Sequence, residues 1–148
     1  GIDVLASDLE AFRAALIAEN RTLKRALTDP RLLSGIGNAY SDEILHAAKL
    51  SPFKPSNSLT QSELDTLFTA IKGELSAAIK RADGLAAKDL KGEKKSGLRV
   101  HGRTGEKCDV CGDTIAAVSF ADSSLQYCPT CQTGGKKLAD RRLSKLLK

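Results

Sequence analysis

The chain has 148 residues, 41% hydrophobic and 28% charged, a length that holds one ordinary domain or two small ones, and nothing in it reads as a membrane span. Aromatic residues make up only 4% and tryptophan is absent, which argues against a broad stacking platform for single-stranded nucleic acid. The formal charge of +5 and a pI near 9.1 favour an anionic partner, and the excess is concentrated in residues 133–148, where six basic side chains face Asp140 alone.

Ser7-Asp8-Leu9-Glu10 reads as a capping box. Leu9, Phe12, Leu16 and Ile17 follow at helical spacing, so a helix is expected to run to about Glu19. Thr22 to Leu27 reads as a short basic helical turn, closed by Asp29-Pro30. Leu32-Leu33-Ser34-Gly35-Ile36-Gly37-Asn38 interrupts helicity with two close glycines. From Asn38 the pattern resumes, with Tyr40, Ile44, Leu45 and Ala48 as a buried stripe and Ser51-Pro52 as the stop. Thr60-Gln61-Ser62-Glu63 is a second capping box, leading into Leu64, Leu67, Phe68, Ile71, Leu75, Ala78 and Ile79. This helix is expected to reach about Arg81 and to end at Asp83-Gly84.

Residues 85–97 are polar and lysine-rich and read as a linker or loop. Thr114 to Phe120 and Leu125 to Tyr127 are the expected strands of a hairpin, with Ala121 to Ser124 as its turn. In the basic tail, Leu138, Leu143, Leu146 and Leu147 form one side of a short docked helix, or else the terminus is frayed.

Four cysteines bracket that hairpin as Cys108-x-x-Cys111 and Cys128-x-x-Cys131, sixteen residues apart. Each pair can present two thiolates to one tetrahedral ion, and one zinc is the expected occupant. Four protein ligands close the shell, so the ion is structural. The competing readings are disulfides in one of three connectivities, or a redox dithiol. A redox motif comes singly beside a βαβ pattern, and none is present.

Gly35-Ile36-Gly37-Asn38 opens a helix after a tight turn. N–H groups at such a start, aided by the helix dipole, make an anion site. Gly35 and Gly37 would let a phosphate approach the backbone, and Asn38 would cap the helix or donate to a phosphate oxygen. The plainer reading is a capped turn without a ligand. His46, on the following helix, reads as structural. Asp42 and Glu43 are expected beside the helix start, where they favour the dipole. Arg103 is a phosphate contact or a salt-bridge partner, and His101 lies outside a metal shell already complete.

Taken together, Leu33-Ser34-Gly35-Ile36-Gly37-Asn38-Ala39-Tyr40-Ser41-Asp42-Glu43-Ile44-Leu45 and Leu50-Ser51-Pro52 resemble the helix–two-turns–helix segment of the formamidopyrimidine-DNA glycosylase/endonuclease VIII family. Val100 to Cys108, with Cys111, Tyr127-Cys128-Pro129 and Cys131-Gln132, resembles that family's C-terminal zinc finger. The resemblance implies a mainly α, helix–two-turns–helix domain followed by a small β-hairpin zinc finger. Its expected parts are residues 1–84, a linker at 85–97, the finger at 98–132 and a basic tail at 133–148.

It further implies a base-excision repair protein that grips duplex DNA, damaged or abasic, while a nucleotide is flipped from the stack. The turn asparagine that contacts phosphate carries onto Asn38. Lys136, Lys137 and Arg103 are added phosphate candidates. The family's chemistry belongs to an N-terminal proline amine and an adjacent glutamate; this sequence opens Gly1-Ile2-Asp3 and contains no methionine. The expectation is therefore a non-enzymatic, DNA-binding portion, with a separate or missing catalytic lobe. The family's finger arginine, five residues before the third cysteine, is replaced here by Ser123, which supplies neither charge nor fork. A cytoplasmic, nucleoid-associated monomer is expected. The alternative from another class is a zinc-ribbon adaptor that binds protein.

Overall fold

The computed structural model describes residues 2–34, 36–83, 98–119, 124–136 and 138. Gly35, the linker 85–97, the hairpin tip with Ser123, Lys137 and the tail leucines beyond Leu138 lie outside the described residues.

Helix α1 spans Leu9–Ile17 and is capped by Asp8, whose Oδ1 accepts from the Ala11 N–H at 2.9 Å. The expected box thus starts one residue late, because Ser7 Oγ donates backward to the Asp3 carbonyl at 2.6 Å. Phe12 and Leu16 are buried, whereas Ile17 is 41% exposed and falls off the expected stripe. Helix α2, Leu23–Thr28, is capped by Thr22 and buries Leu23, Ala26 and Leu27, together with Lys24. Asp29 ends it and accepts from the Arg31 N–H at 2.8 Å and from both neighbouring guanidiniums. The Arg31 hydrogen bonds hold the Asp29 carboxyl down at about 2.

The stretch before the glycine turn forms a two-residue strand. In this parallel pair, β1 (Ile2–Asp3) lies beside β2 (Leu33–Ser34), with Ile2 opposite Leu33. Helix α3, Asn38–Ala48, starts at the expected residue. It is closed by Lys49 in the left-handed region (φ 58°), whose N–H bonds the His46 and Leu45 carbonyls. Helix α4, Gln61–Asp83, begins with the expected reciprocal box: the Glu63 N–H donates to Thr60 Oγ1 at 3.1 Å and the Thr60 N–H to Glu63 Oε1 at 2.9 Å. It packs chiefly on α3 and also crosses α1, where Phe68 meets Phe12 with ring centroids 5.1 Å apart.

Leu64, Leu67 and Ile71 of α4 complete a core with Val4, Phe12, Leu16, Leu23, Leu27, Leu33, Ile44 and Leu45. The expected stripe stops short, however. Ile79 is 52% exposed, because α4 continues past the last partner of that cluster.

The described residues from Leu98 onward form the finger and its edge. Strands β3 (Ala116–Ser119) and β4 (Ser124–Tyr127) pair antiparallel, with Val118 opposite Leu125. Thr114, expected in the first strand, instead bridges Lys107, and Ser124, expected in the turn, opens β4 opposite Ser119. Two small apolar clusters hold the finger: Val100, Cys108, Ile115 and Cys128 in one, and Val118, Leu125 and Tyr127 in the other. Phe53 and Leu138 pack on the second cluster, and the Leu138 N–H donates to Tyr127 Oη at 2.6 Å. Among the described residues no helix is long and apolar enough to cross a membrane.

These burials set the energetics of the helical lobe. Leu67→Ala is expected to lower unfolding free energy by about 2–5 kcal/mol, and Ile79→Ala by no more than about 0.5 kcal/mol. Equal shifts in chemical denaturation midpoints would contradict this assignment of core and surface.

Candidate metal centre and nucleic-acid interface

The four sulfurs converge from two tight turns. After Cys108 the chain folds back, with the Gly112 N–H on the Cys108 carbonyl at 2.9 Å and the Cys108 N–H on the Asp113 carbonyl at 2.7 Å. Gly112 sits at φ 81°, a conformation that favours glycine. Cys128 caps a five-residue helix, Pro129–Thr133, which ends in left-handed Gly134. All four Sγ atoms lie within 4.8 Å of one another, with Cys108–Cys131 at 3.9 Å and Cys111–Cys128 at 3.3 Å. A zinc ion with sulfurs about 2.3 Å away sets neighbouring sulfurs about 3.8 Å apart, so the set fits the ion. The thiols are free of disulfides.

Backbone N–H groups aim at three of the sulfurs: Val110 at Cys108, Asp113 at Cys111 and Cys131 at Cys128, at 3.4–3.5 Å. The Asp113 N–H draws the Cys111 thiol below its ordinary value, while burial pushes Cys128 up to about 11 and raises Cys131 as well.

The finger is fastened to α3 by two carboxylates. Asp42 and Glu43 are 1% and 2% exposed, so the expectation that they sit beside the helix start is corrected. They lie beyond the first turn and face inward, where unmatched N–H groups await them. Asp42 Oδ1 accepts from Lys24 Nζ at 2.6 Å, and its Oδ2 receives the Gln126 N–H at 3.1 Å and meets His101 Nδ1 at 2.8 Å. Glu43 accepts the N–H groups of Arg99, Val100 and His101 at 2.6, 2.9 and 2.9 Å.

Lys24 also donates to the Asn38 carbonyl at 2.9 Å and to Ser41 Oγ at 2.5 Å. Burial pulls its pKa down, and Asp42 opposes that. A further tie joins Gln132 Nε2 to the Leu50 carbonyl at 2.9 Å, while Gln132 Oε1 accepts the Cys128 N–H at 2.8 Å.

At the other end of α3, Gly37 rather than Asn38 is the N-cap and brings no side-chain bond. Asn38 instead occupies the first helical position, and its Nδ2 donates to the Ser124 carbonyl at the base of the hairpin, 3.2 Å away. Helix start and hairpin therefore share one exposed face. Arg103 lies in the salt-bridge alternative: its guanidinium holds Glu106 at 3.1 Å, Asp109 at 3.1 Å and the Arg99 carbonyl at 3.0 Å. Lys136 is exposed just past the Pro129–Thr133 helix. Gly35, Ser123 and Lys137 lie outside the described residues. Sequence reasoning missed Lys24, Asp42, Glu43, Gln126 and Gln132 as the joint. The available signal was charge at core-facing positions: Lys24 between Leu23 and Ala26, and the acid pair directly before Ile44-Leu45.

Two family descriptions match the chain: "Formamidopyrimidine-DNA glycosylase H2TH domain" over residues 1–89 and "Zinc finger found in FPG and IleRS" over residues 105–134. An uncharacterized formamidopyrimidine-DNA glycosylase-like protein of Mycobacterium tuberculosis is 57% identical over 148 residues, covering 99% of this chain and 91% of that protein. The formamidopyrimidine-DNA glycosylase of Desulfitobacterium hafniense is 37% identical over 134 residues, covering 83% of this chain and 49% of that enzyme.

Among solved structures, Lactococcus lactis Fpg in complex with DNA containing an abasic site aligns at a TM-score of 0.75 and 34% identity, over 85% of this chain and 48% of that one. MutM (Fpg) from Thermus thermophilus aligns at 0.79 and 32%, over 93% and 55%. The chain thus spans about half the length of these glycosylases. With the matching finger and the sulfur geometry together, the centre is a structural site for one zinc ion.

Because the apolar cluster of the lobe contains no cysteine, zinc removal is expected to act locally. A strong chelator should withdraw one zinc per chain and abolish amide protection across the finger while α1 and α4 keep theirs. Loss of protection throughout would show that the lobe depends on the metal. Asp42→Ala leaves buried Lys24 without its counter-charge and two finger donors, the Gln126 N–H and the His101 ring, without their acceptor. It is expected to cost about 3–5 kcal/mol in denaturant unfolding, and a cost below about 1 kcal/mol would mean that water reaches the joint.

Proposed function

The chain belongs to the formamidopyrimidine-DNA glycosylase family, and from that premise we propose that this stretch is a grip for duplex DNA, damaged or abasic, working through phosphate contacts. The observation that carries the reading is the shared face on which α3 begins and the hairpin ends, joined by Asn38 Nδ2 and the Ser124 carbonyl. An amide nitrogen has two protons. One is used on Ser124, and the reading assigns the other to a phosphate oxygen.

Gly37 supports the same reading. Its φ is an ordinary −92°, and a Cβ there would meet nothing within 4 Å. Neither packing nor backbone strain requires glycine, whereas a phosphate resting on the turn would. The helix start also lacks a side-chain cap, so its N–H groups and dipole suit an anion. Gly35, Lys136 and Lys137 are assigned to the same backbone-following contacts, with Ser123 making at most one hydrogen bond at the hairpin tip. Arg103 joins them only by leaving Glu106 and Asp109. Among the described residues neither part offers an obvious helix to the major groove, so little base-edge reading is assigned.

The reading assigns binding to these residues and leaves base release to others. Schiff-base chemistry needs a free amine of lowered pKa against the sugar. Lys24, the buried lysine among the described residues, is lowered by burial but is held by Asp42, Ser41 and the Asn38 carbonyl. The bound DNA in relatives, with an abasic site in one and carbocyclic 8-oxo-G in another, makes damaged duplex the first ligand to try.

With about three to five phosphates engaged, log K against log salt is expected to fall with a slope of about −3 to −4.5. Asn38→Ala should weaken every duplex by a similar factor, and borohydride should trap no adduct on abasic DNA. Salt-insensitive binding, or an Asn38→Ala effect confined to one sequence, would sink the phosphate grip. Absence of DNA binding with retention of a protein partner would return the reading to an adaptor.

A further inference from the structure

His46 lies in the last turn of α3 and is 3% exposed. Its Nε2 is 3.2 Å from Cys108 Sγ, across 62 residues of chain. Its Nδ1 is buried and has no hydrogen-bond partner among the described residues. Buried N–H groups are almost always paired, and a neutral imidazole carries one proton. The nitrogen with a partner is Nε2, so the proton belongs there and the acceptor is sulfur. Cys108 itself is 4% exposed and receives one further N–H, from Val110 at 3.4 Å.

We propose that His46 is an outer-sphere partner of the zinc, its Nε2–H donating to the Cys108 thiolate and tying the metal centre to the helix that begins at Asn38. Four thiolates around a divalent ion leave two negative charges in excess, and donors to sulfur draw part of that charge away. Such partners also hold a ligand in its coordinating orientation. The backbone N–H groups on Cys108, Cys111 and Cys128 come from the finger itself. His46 alone among these donors comes from the helical lobe, so it makes the metal part of the joint between the two.

The test compares the zinc-loaded full chain with His46→Phe, which fills the space without a donor, and His46→Gln, which returns an N–H near the Nε2 position. Zinc transfer to a chromophoric chelator is expected to be on the order of tenfold faster in His46→Phe and close to the parent rate in His46→Gln. In cobalt-substituted protein the thiolate-to-metal charge-transfer band should move to lower energy in the Phe variant and return in the Gln variant, which loss of packing alone would not produce. Long-range 1H–15N spectra of the unaltered zinc protein should show His46 protonated at Nε2 and bare at Nδ1. A proton on Nδ1 would overturn the proposal without any variant. So would a folded His46→Phe protein that keeps the parent release rate and an unmoved band.

Discussion

Two adjacent carboxylates on α3 hold the molecule together. Asp42 and Glu43 are almost wholly buried and accept six interactions between them, one from Lys24 in the helical lobe and five from groups at 99–101 and 126. A charge in such a place is costly unless nearly every lone pair is matched. The matching groups on the finger side are four backbone N–H groups, of the approach segment and β4, together with the His101 ring. Each part therefore supplies what the other lacks. An ion pair like Lys24–Asp42 need not exceed a hydrophobic pair in net stability; its effect is to allow one docking geometry and penalise every neighbouring one.

That selectivity bears directly on the exposed face. The phosphate grip proposed above would depend on distances between separate elements, the start of α3 and the base of the hairpin. Lys24 reaches the Asn38 carbonyl from beneath, Asp42 fixes the backbone of Gln126, and Asn38 meets Ser124 two residues earlier in β4. The three contacts triangulate the turn and the hairpin through Lys24, Asp42 and Asn38 alone. The zinc centre, with four protein sulfurs around the ion, is structural and shapes the finger that carries the hairpin.

Much of this was legible in the residues. The spacing of the cysteines, the Thr60–Glu63 box and the resumption of helicity at Asn38 each encode a local geometry, and local geometry survives assembly. What escaped was whatever depends on a partner from far along the chain. Asp42 and Glu43 read as acids beside the helix start because periodicity reports the apolar stripe of one helix and says nothing about donors arriving from residues 99–101 and 126. Lys24, within the short basic turn, likewise finds its partners on another helix, at Asn38, Ser41 and Asp42. Ile79 errs in the opposite direction: its spacing is right, but α4 outruns the lobe that would cover it. The pairing of β1 with β2 has two residues per strand, too few for alternation to register.

The Asp42–Gln126, Asn38–Ser124 and Leu50–Gln132 contacts join positions 82 to 86 residues apart. Closing a span of that size costs entropy before any contact forms, and a half-made polar joint leaves dry charges unmatched, so its early fragments offer little reward. Assembly is accordingly expected to run in order: helices first, the metal-knit finger as a second unit, and docking last. Undocking follows the same steep path in reverse. A slight separation forfeits several hydrogen bonds at once, before water has room to enter, so the two parts resist small relative displacements and come away from each other as whole units.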